Sequence, residues 1–470
     1  MSSPIKRYLR SVFQNRNLSL LWAGQVVSMS GDSIYQIALL WLALELTASK
    51  AITGLVAMSS YLPTILLALV AGVVADRANR RRVMLIADAV RAIAIFGIPL
   101  ASLLGFLSPW VLVINAFVIA SAAAFFNPAK DAIIPQLVPP SGLLRANSLI
   151  QTSWQLALLM GPAIAGGLLT LMGLIPLFAF DAGAYFLSFV TIWLLRPKPE
   201  RSINPACSSV VGTDRHPGDI LSSKCPEDEG TLGGASVPGQ SGPATAESAT
   251  AGGIPPHATP RSPWIVRVRE GWTDIRQGLS YTAKQPVILP LLLITVADNL
   301  FIMGPAIVGM PVLIRETFAG SASDYALMAM AFAVGMLLGT VGLVLWGGKI
   351  PKGKMLLWGM VFDGFTFVPY FFAQTLTQLG VLSVIHGMAV PLLTVSRASL
   401  IQEVVPANMR GRIFSLISLA VVGMSAISSG LTGLILELIP APLLFLIIGT
   451  VGGLCGVIGL LFAKQLRKQL

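Results

Sequence analysis

A few ionisable side chains fall inside long apolar runs, where a charge is expensive and marks function by default. Asp32 sits near the middle of one such run, and Asp298 within another. A carboxyl held there could take up a proton or meet a cationic solute. It could also do no more than hydrogen-bond a neighbouring helix. Asp88 and Arg91 stand three residues apart, a spacing that lets two side chains pair on one helix face, and they read as a buried charge couple. His386 belongs to the residue type whose charge changes near physiological pH, although a lone buried histidine is more often a satisfied hydrogen-bonding partner. Asp181 and Asp363 are weaker candidates of the same kind.

Other chemistries find no support in the residues. Nothing matches the phosphate-cradling GxxxxGK[ST] loop, so direct use of ATP is not expected. No nucleophile–base constellation or metal-ligand cluster stands out, so we expect neither an enzyme nor a cofactor nor a metal site. Cys207, Cys225 and Cys455 form no CxxC or Cys/His pattern, and neither a disulfide nor a zinc site is expected.

The elements that must position these residues follow from composition. Of 470 residues, 54% are hydrophobic and 11% charged, against about 25% charged in soluble domains. So much apolar surface requires lipid to cover part of it. A span needs about 20 mostly apolar residues. Twelve runs qualify, at about 18–45, 52–75, 83–105, 110–127, 147–172 and 174–195, then 287–314, 325–348, 354–373, 377–396, 411–436 and 442–463. The first run is too long for the apolar region of a signal peptide and reads as a retained span.

The net charge of +11 comes without a basic face or aromatic platform, so it reads as membrane orientation and not as nucleic-acid binding. With the N-terminus inside, 29 of the 32 basic residues fall on inner segments, and both termini are expected in the cytoplasm. Residues 1–200 then form one six-helix bundle. Residues 201–262, rich in Pro, Gly, Ser, Ala and Thr, form a disordered cytoplasmic linker. Residues 263–470 form an interfacial helix, over Trp264–Lys284, and a second six-helix bundle.

The halves resemble each other. KDAIIPQLVPPSGLLRANSL (130–149) overlays RASLIQEVVPANMRGRIFSL (397–416) without a gap, pairing Lys130 with Arg397, Pro139 with Pro406 and Arg145 with Arg412. A register one residue shorter sets Asp32 on Asp298. Two parallel repeats with a site between them near the midplane form a recurring transporter architecture.

Three motifs carry a family resemblance. Gly72-Val-Val-Ala-Asp76-Arg77-Ala-Asn79-Arg80-Arg81-Arg82 resembles the loop signature of the major facilitator superfamily, G-x-x-x-D-R-x-G-R-R. Asn79 stands where the second glycine would be, and asparagine tolerates the left-handed backbone that a glycine supplies. The resemblance implies an inner gate formed by Gly72, Asp76, Arg77, Arg80 and Arg81, with Asp76 latching this face to the start of span eleven near Arg410–Arg412. Gly161-Pro162-Ala163-Ile164-Ala165-Gly166-Gly167 resembles the antiporter signature G-P-x-x-G-G, with Ala165 in place of one glycine. Gly161, Pro162 and Gly166 then point to an exporter, although small residues also serve simple helix packing. Finally, Asn127–Asp131, Pro135, Pro139 and Arg145–Ser148, together with Gly31–Ala38 and Asp88–Arg91, are similar to macrolide and multidrug efflux pumps and enterobactin-type siderophore exporters.

The expectation is an all-α membrane protein with the major facilitator fold, twelve transmembrane helices in two pseudo-symmetric bundles, in the cell (inner) membrane. Its halves would rock around a midplane cavity, exchanging protons for an amphiphilic organic compound such as a drug. Trp41, Trp154, Tyr35, Gln36, Gln151 and Gln155 are candidate cavity residues. The expected partners are a small-molecule substrate, protons and the lipid bilayer, without nucleic acid, around a monomer. Two readings stay open: a dedicated siderophore or metabolite exporter, and a non-transporting sensor or scaffold with the same fold.

Overall fold

Twelve helical stretches among the described residues are long and apolar enough to cross a membrane. The structure is a computed structural model, and it describes residues 15–139, 142–196, 264–347 and 350–468. Within these, the side chains of Asp76, Leu144, Arg145, Asp274, Trp346 and residues 264–272 are outside the description. Spans one to six are Arg16–Thr47, Lys50–Ala75, Arg80–Leu103, Pro109–Leu137, Ala146–Met172 and Ile175–Trp193. Spans seven to twelve are Ile288–Thr317, Ala322–Leu345, Lys352–Phe372, Leu376–Val404, Ala407–Leu438 and Ala441–Phe462. A further helix covers Trp264–Lys284 and packs against spans two, seven and eleven. The tether expected at 201–262 lies outside the described residues.

Polar residues at the run boundaries start these helices by accepting orphan backbone N–H groups. Asn15 accepts from Leu18 N at 3.2 Å, Ser49 from Ile52 N at 3.3 Å and Thr375 from Gln378 N at 3.2 Å. Ser321 and Asp324 form a reciprocal capping box at span eight. Asn79 corrects the reading based on left-handed backbone. Its φ is −64° and its side chain accepts from Arg82 N at 3.1 Å, so it opens span three as an N-cap.

Spans four and ten run further than the sequence suggests, to Leu137 and Val404. Pro128 and Pro135 lie inside the span-four helix, because a proline within a packed membrane bundle need not end a helix. Lys130 and Arg397, counted above as loop charges, therefore sit on helices. Span seven is interrupted by a π-turn at Pro305–Gly309. Two features meet there: Pro305 has no N–H to donate, and just before it Ser428 Oγ of span eleven donates to Leu300 O at 2.6 Å and accepts from Gly304 N at 2.8 Å. The Ser428 hydroxyl thus stands between the two groups that would otherwise bond each other.

The apolar core is divided in a way that bears on function. At the end away from the termini, Ile34, Tyr35, Ile37–Leu44, Phe178 and Tyr185 of the first half share one core with Val308, Ile314, Phe367 and Phe445 of the second. Towards the termini each half has its own. Leu18, Met84, Ile134 and Ile192 belong to one, and Ile288, Leu357, Ile401 and Leu466 to the other. The halves are fused at one end and have separate cores at the other.

Candidate functional site

Spans two and eleven, and spans five and eight, carry the main contacts between halves. A Cβ on Gly54 would lie 2.8 Å from Ser429 O and 2.9 Å from Gly433 Cα, and one on Gly433 would lie 2.6 Å from Lys50 O. These two backbones touch because neither residue has a side chain. Gly166 faces Ala326 across the spans five–eight contact, and Trp41 stacks on Tyr325 with centroids 6.4 Å apart. Polar clasps ring this seal. Lys50 Nζ is 2.9 Å from Glu316 Oε2, and Arg315 donates to Leu44 O. Glu437 Oε1 accepts from Ser49 Oγ at 2.9 Å and Ala51 N at 3.0 Å.

Inside the first half, Asp32 is half-buried and accepts a hydrogen bond from Tyr185 Oη. The Arg91 guanidinium lies 5.2 Å from the Tyr185 ring centroid and 4.6 Å from that of Phe126. Arg91 Nη1 is 3.5 Å from Asp88 Oδ1, and Ser188 Oγ donates to Asp88 Oδ2 at 2.7 Å. Lys130 is buried, and its charge reaches Asp32 together with that of Arg91. Spans one, three, four and six thus converge on one ionic cluster. Asp181 is fully buried against Gly31, and neither carboxyl oxygen has a hydrogen-bond partner among the described residues.

Breaking this cluster asymmetrically should be costly. Removing one partner of a buried ion pair typically costs about 3–5 kcal/mol, because the other charge stays buried alone. Arg91→Ala is expected to lower the melting temperature of the purified protein, and Asp88→Asn/Arg91→Gln to recover most of the loss. Equal melting of Arg91→Ala and the parent would separate this pair from stability.

In the second half, Asp298 and Asp363 are both buried, and their carboxyl groups interact with each other. Asn299 Nδ2 donates to Asp298 Oδ2 at 3.3 Å, and the Arg397 charge reaches Asp298. His386 is buried, with Nδ1 2.9 Å from Thr366 Oγ1 and 3.7 Å from Asp363 Oδ1, and its ring stacks on Phe367. Asp363 was the weaker candidate by sequence, yet it joins Asp298 and His386 in one place. Lys130 and Arg397 were not singled out as site residues. Their pairing across the repeat was the signal that could have found them.

The motif residues are placed as follows. Gly161 packs on span one, where a Cβ would meet Ser33 Cβ at 2.4 Å, one residue from Asp32. Pro162 lies within the span-five helix, and Gly166 faces the other half. Gly161→Leu should push span one out of place at a cost of about 1–3 kcal/mol, seen as reduced thermal stability. An unchanged melting curve would count against that packing. Among the described residues, nothing lies within 4 Å of where a Cβ on Gly72 would stand. Arg77 ends the span-two helix and Arg80 begins that of span three. Arg81 donates to Ile192 O at 3.0 Å and to Trp193 O, holding the end of span six within its own half. The side chain of Asp76 lies outside the described residues.

Two of the expected cavity residues are elsewhere. Trp41 belongs to the seal, and Tyr35 is buried, donating to Asn115 Oδ1 at 3.0 Å. Periodicity alone could not tell which face of span one met the other helices. Gln36 is exposed in the otherwise buried stretch Ile34–Leu44, and Gln151, Trp154 and Gln155 are exposed.

Two family models match the chain. One, described as Transmembrane secretion effector, matches residues 10–209, and the other, Major Facilitator Superfamily, matches residues 291–469. The chain belongs to the major facilitator superfamily. Macrolide efflux protein A of Streptococcus pyogenes is 24% identical over 402 residues, covering 84% of this chain and 83% of the relative. The MFS-type transporter YfiS of Bacillus subtilis is 26% identical, covering 97% and 95%. The multidrug efflux pump Tap of Mycobacterium tuberculosis is 32% identical over 196 residues, 40% of this chain and 46% of that pump. Among solved structures, the nucleoside transporter NupG superposes with a TM-score of 0.65 at 11% identity, covering 96% of this chain and all of that one. A D-xylose–proton symporter superposes with a TM-score of 0.64 at 14% identity, covering 98% and 100%. The protein is a multi-pass transporter of the inner membrane and not an enzyme.

Proposed function

We propose that this transporter is a proton-coupled exporter of amphiphilic organic compounds. The observation that carries the proposal is Asp32, a half-buried carboxyl within the first half, held by Tyr185 and in reach of Arg91 and Lys130. A group so placed can exchange a proton with the interior while its cationic neighbours respond to its charge. Gly161, one of the small residues of the antiporter-like motif, packs directly beside it. The printed names of two relatives, a macrolide efflux protein and a multidrug efflux pump, favour drug-like compounds as the cargo.

The excess of basic residues on the expected inner segments supports a cytoplasmic position for both termini. On that reading the fused end faces outward and the separate cores face the cytoplasm, the arrangement of a carrier ready to load cargo from within. Rocking would open the Gly54–Gly433 seal and draw the termini-side cores together, with Asp76 latching that closure against span eleven.

The test is substrate-triggered proton movement in energised everted vesicles. Macrolides, tetracyclines, cationic dyes and catecholate siderophores would be added in turn, with vesicles lacking the protein as the control. Dissipation of the proton gradient by one compound class is expected. No response to any of them from folded, inserted protein would argue against proton-coupled export of such compounds.

A further inference from the structure

Spans three and nine occupy equivalent places in the two halves. Their helices open at Arg80 and Lys352. Counting from those residues, Met84, Ala87, Asp88, Ile95 and Ile98 correspond to Leu356, Gly359, Met360, Phe367 and Tyr370. Every one of them is buried. In the same register Arg91 corresponds to Asp363. The first half therefore sets a cation near its span-one acid, Asp32, whereas the second half sets an acid against Asp298.

This inversion leaves a charge imbalance. Asp298 is 7% exposed and Asp363 2%, and Oδ1 of each has no hydrogen-bond partner among the described residues. The groups facing the pair are Arg397 and His386 of span ten, Tyr370 at the end of span nine and Asn299 beside Asp298. Among the described residues, one arginine faces two carboxyls. Two ionised carboxylates buried as neighbours repel each other and offer no donor, so they can hydrogen-bond only through a proton.

We propose that Asp298 and Asp363 form a proton-binding site that holds one proton between two carboxyl groups, in addition to the Asp32 cluster. The bound proton completes an O–H···O⁻ bond and leaves one negative charge opposite Arg397. The site adjoins the joint between spans seven and eleven. Ser425 Oγ donates to Asn299 Oδ1 at 3.4 Å, and Ser428 fills the break in span seven. One residue further on, Ser429 meets Gly54 in the seal. Loss of the proton would drive the two carboxylates apart beside this joint and bias the seal. That coupling role rests on the proton-coupled reading above, whereas the protonation itself does not.

The experiment is infrared spectroscopy of the full chain reconstituted in liposomes, reading the carbonyl stretch of protonated carboxyl groups at neutral pH without any cargo. Wild-type protein carrying carbon-13 aspartate should show an isotope-shifted protonated-carboxyl component. Asp181→Asn removes the other buried carboxyl that is unpartnered among the described residues. The part of the component that remains in Asp181→Asn should vanish when Asp298→Asn, Asp363→Asn or both are added, and persist when Asp32→Asn is added. Three results would overturn the proposal. The component could be missing from Asp181→Asn, as it would be with the balancing proton on His386. It could survive there when either Asp298→Asn or Asp363→Asn is added. It could disappear when sodium is added at fixed pH, which would make this a sodium site. The Asp181→Asn spectrum decides the first and third even where a variant of the pair fails to fold, and none of these readouts depends on transport.

Discussion

Vesicles carrying Asp32→Asn are expected to show no substrate-triggered proton movement above the protein-free background. Asparagine keeps the shape of the side chain and can still accept from Tyr185 Oη, so the bundle should form. What it cannot do is gain or release a proton. The charges of Arg91 and Lys130 then have no titrating partner at this position, and they are left with Asp88 at 3.5 Å from Arg91 and with the exposed Asp131 at 3.8 Å from Lys130. Cargo binding, measured by quenching of tryptophan fluorescence, should persist while coupling is lost. A variant that still exchanges protons for cargo at the parent rate would move the coupling role elsewhere, and the Asp298–Asp363 pair would be the first place to look.

The second large effect concerns the seal. Gly54→Leu puts a side chain where Ser429 O and Gly433 Cα already stand within 3 Å of the Cβ position. Both neighbours are backbone atoms and cannot rotate away. Overpacking of this kind costs about 1–3 kcal/mol, and the cost falls only on the state in which the halves meet here. A bias of that size shifts a two-state equilibrium by about 5–150-fold. The shift can be read at Met58, whose Sδ would be 3.1 Å from a Cβ on Gly430 across the interface. With Cys207, Cys225 and Cys455 replaced by serine, Met58→Cys should react with a membrane-impermeant maleimide faster in the Gly54→Leu background by a factor in that range. Equal rates in the two backgrounds would mean that this contact does not close the path.

Much of the fold was legible in the sequence, because twelve apolar runs leave a chain few alternatives in lipid. The runs fell in two sets of six, and every one became a helix. The first error came at the ends of spans four and ten. There prolines and basic residues looked like loop, yet the helices continued through Lys130 and Arg397. A lysine in a sequence looks the same whether it orients a loop or neutralises a buried acid. Asn79 misled in a smaller way, since tolerance of left-handed backbone and N-capping draw on the same residue type.

The sequence by itself determined which charges would be carried into the membrane interior: Asp32, Asp88, Arg91, Asp298, Asp363 and His386 all lie in runs that must be buried or lipid-covered. It also paired Asp32 with Asp298 and Lys130 with Arg397 through the repeat. Only the tertiary structure decided how these groups combine. Tyr185 and Ser188 of span six reach Asp32 and Asp88 from more than 90 residues away. Asp363 meets Asp298 where Arg91 serves the first half, and Trp41 goes to the seal instead of a cavity. The physical reason lies in range. Apolar periodicity and charge cost are local properties of a chain, whereas the partner that neutralises a buried charge is chosen by helix packing between distant segments.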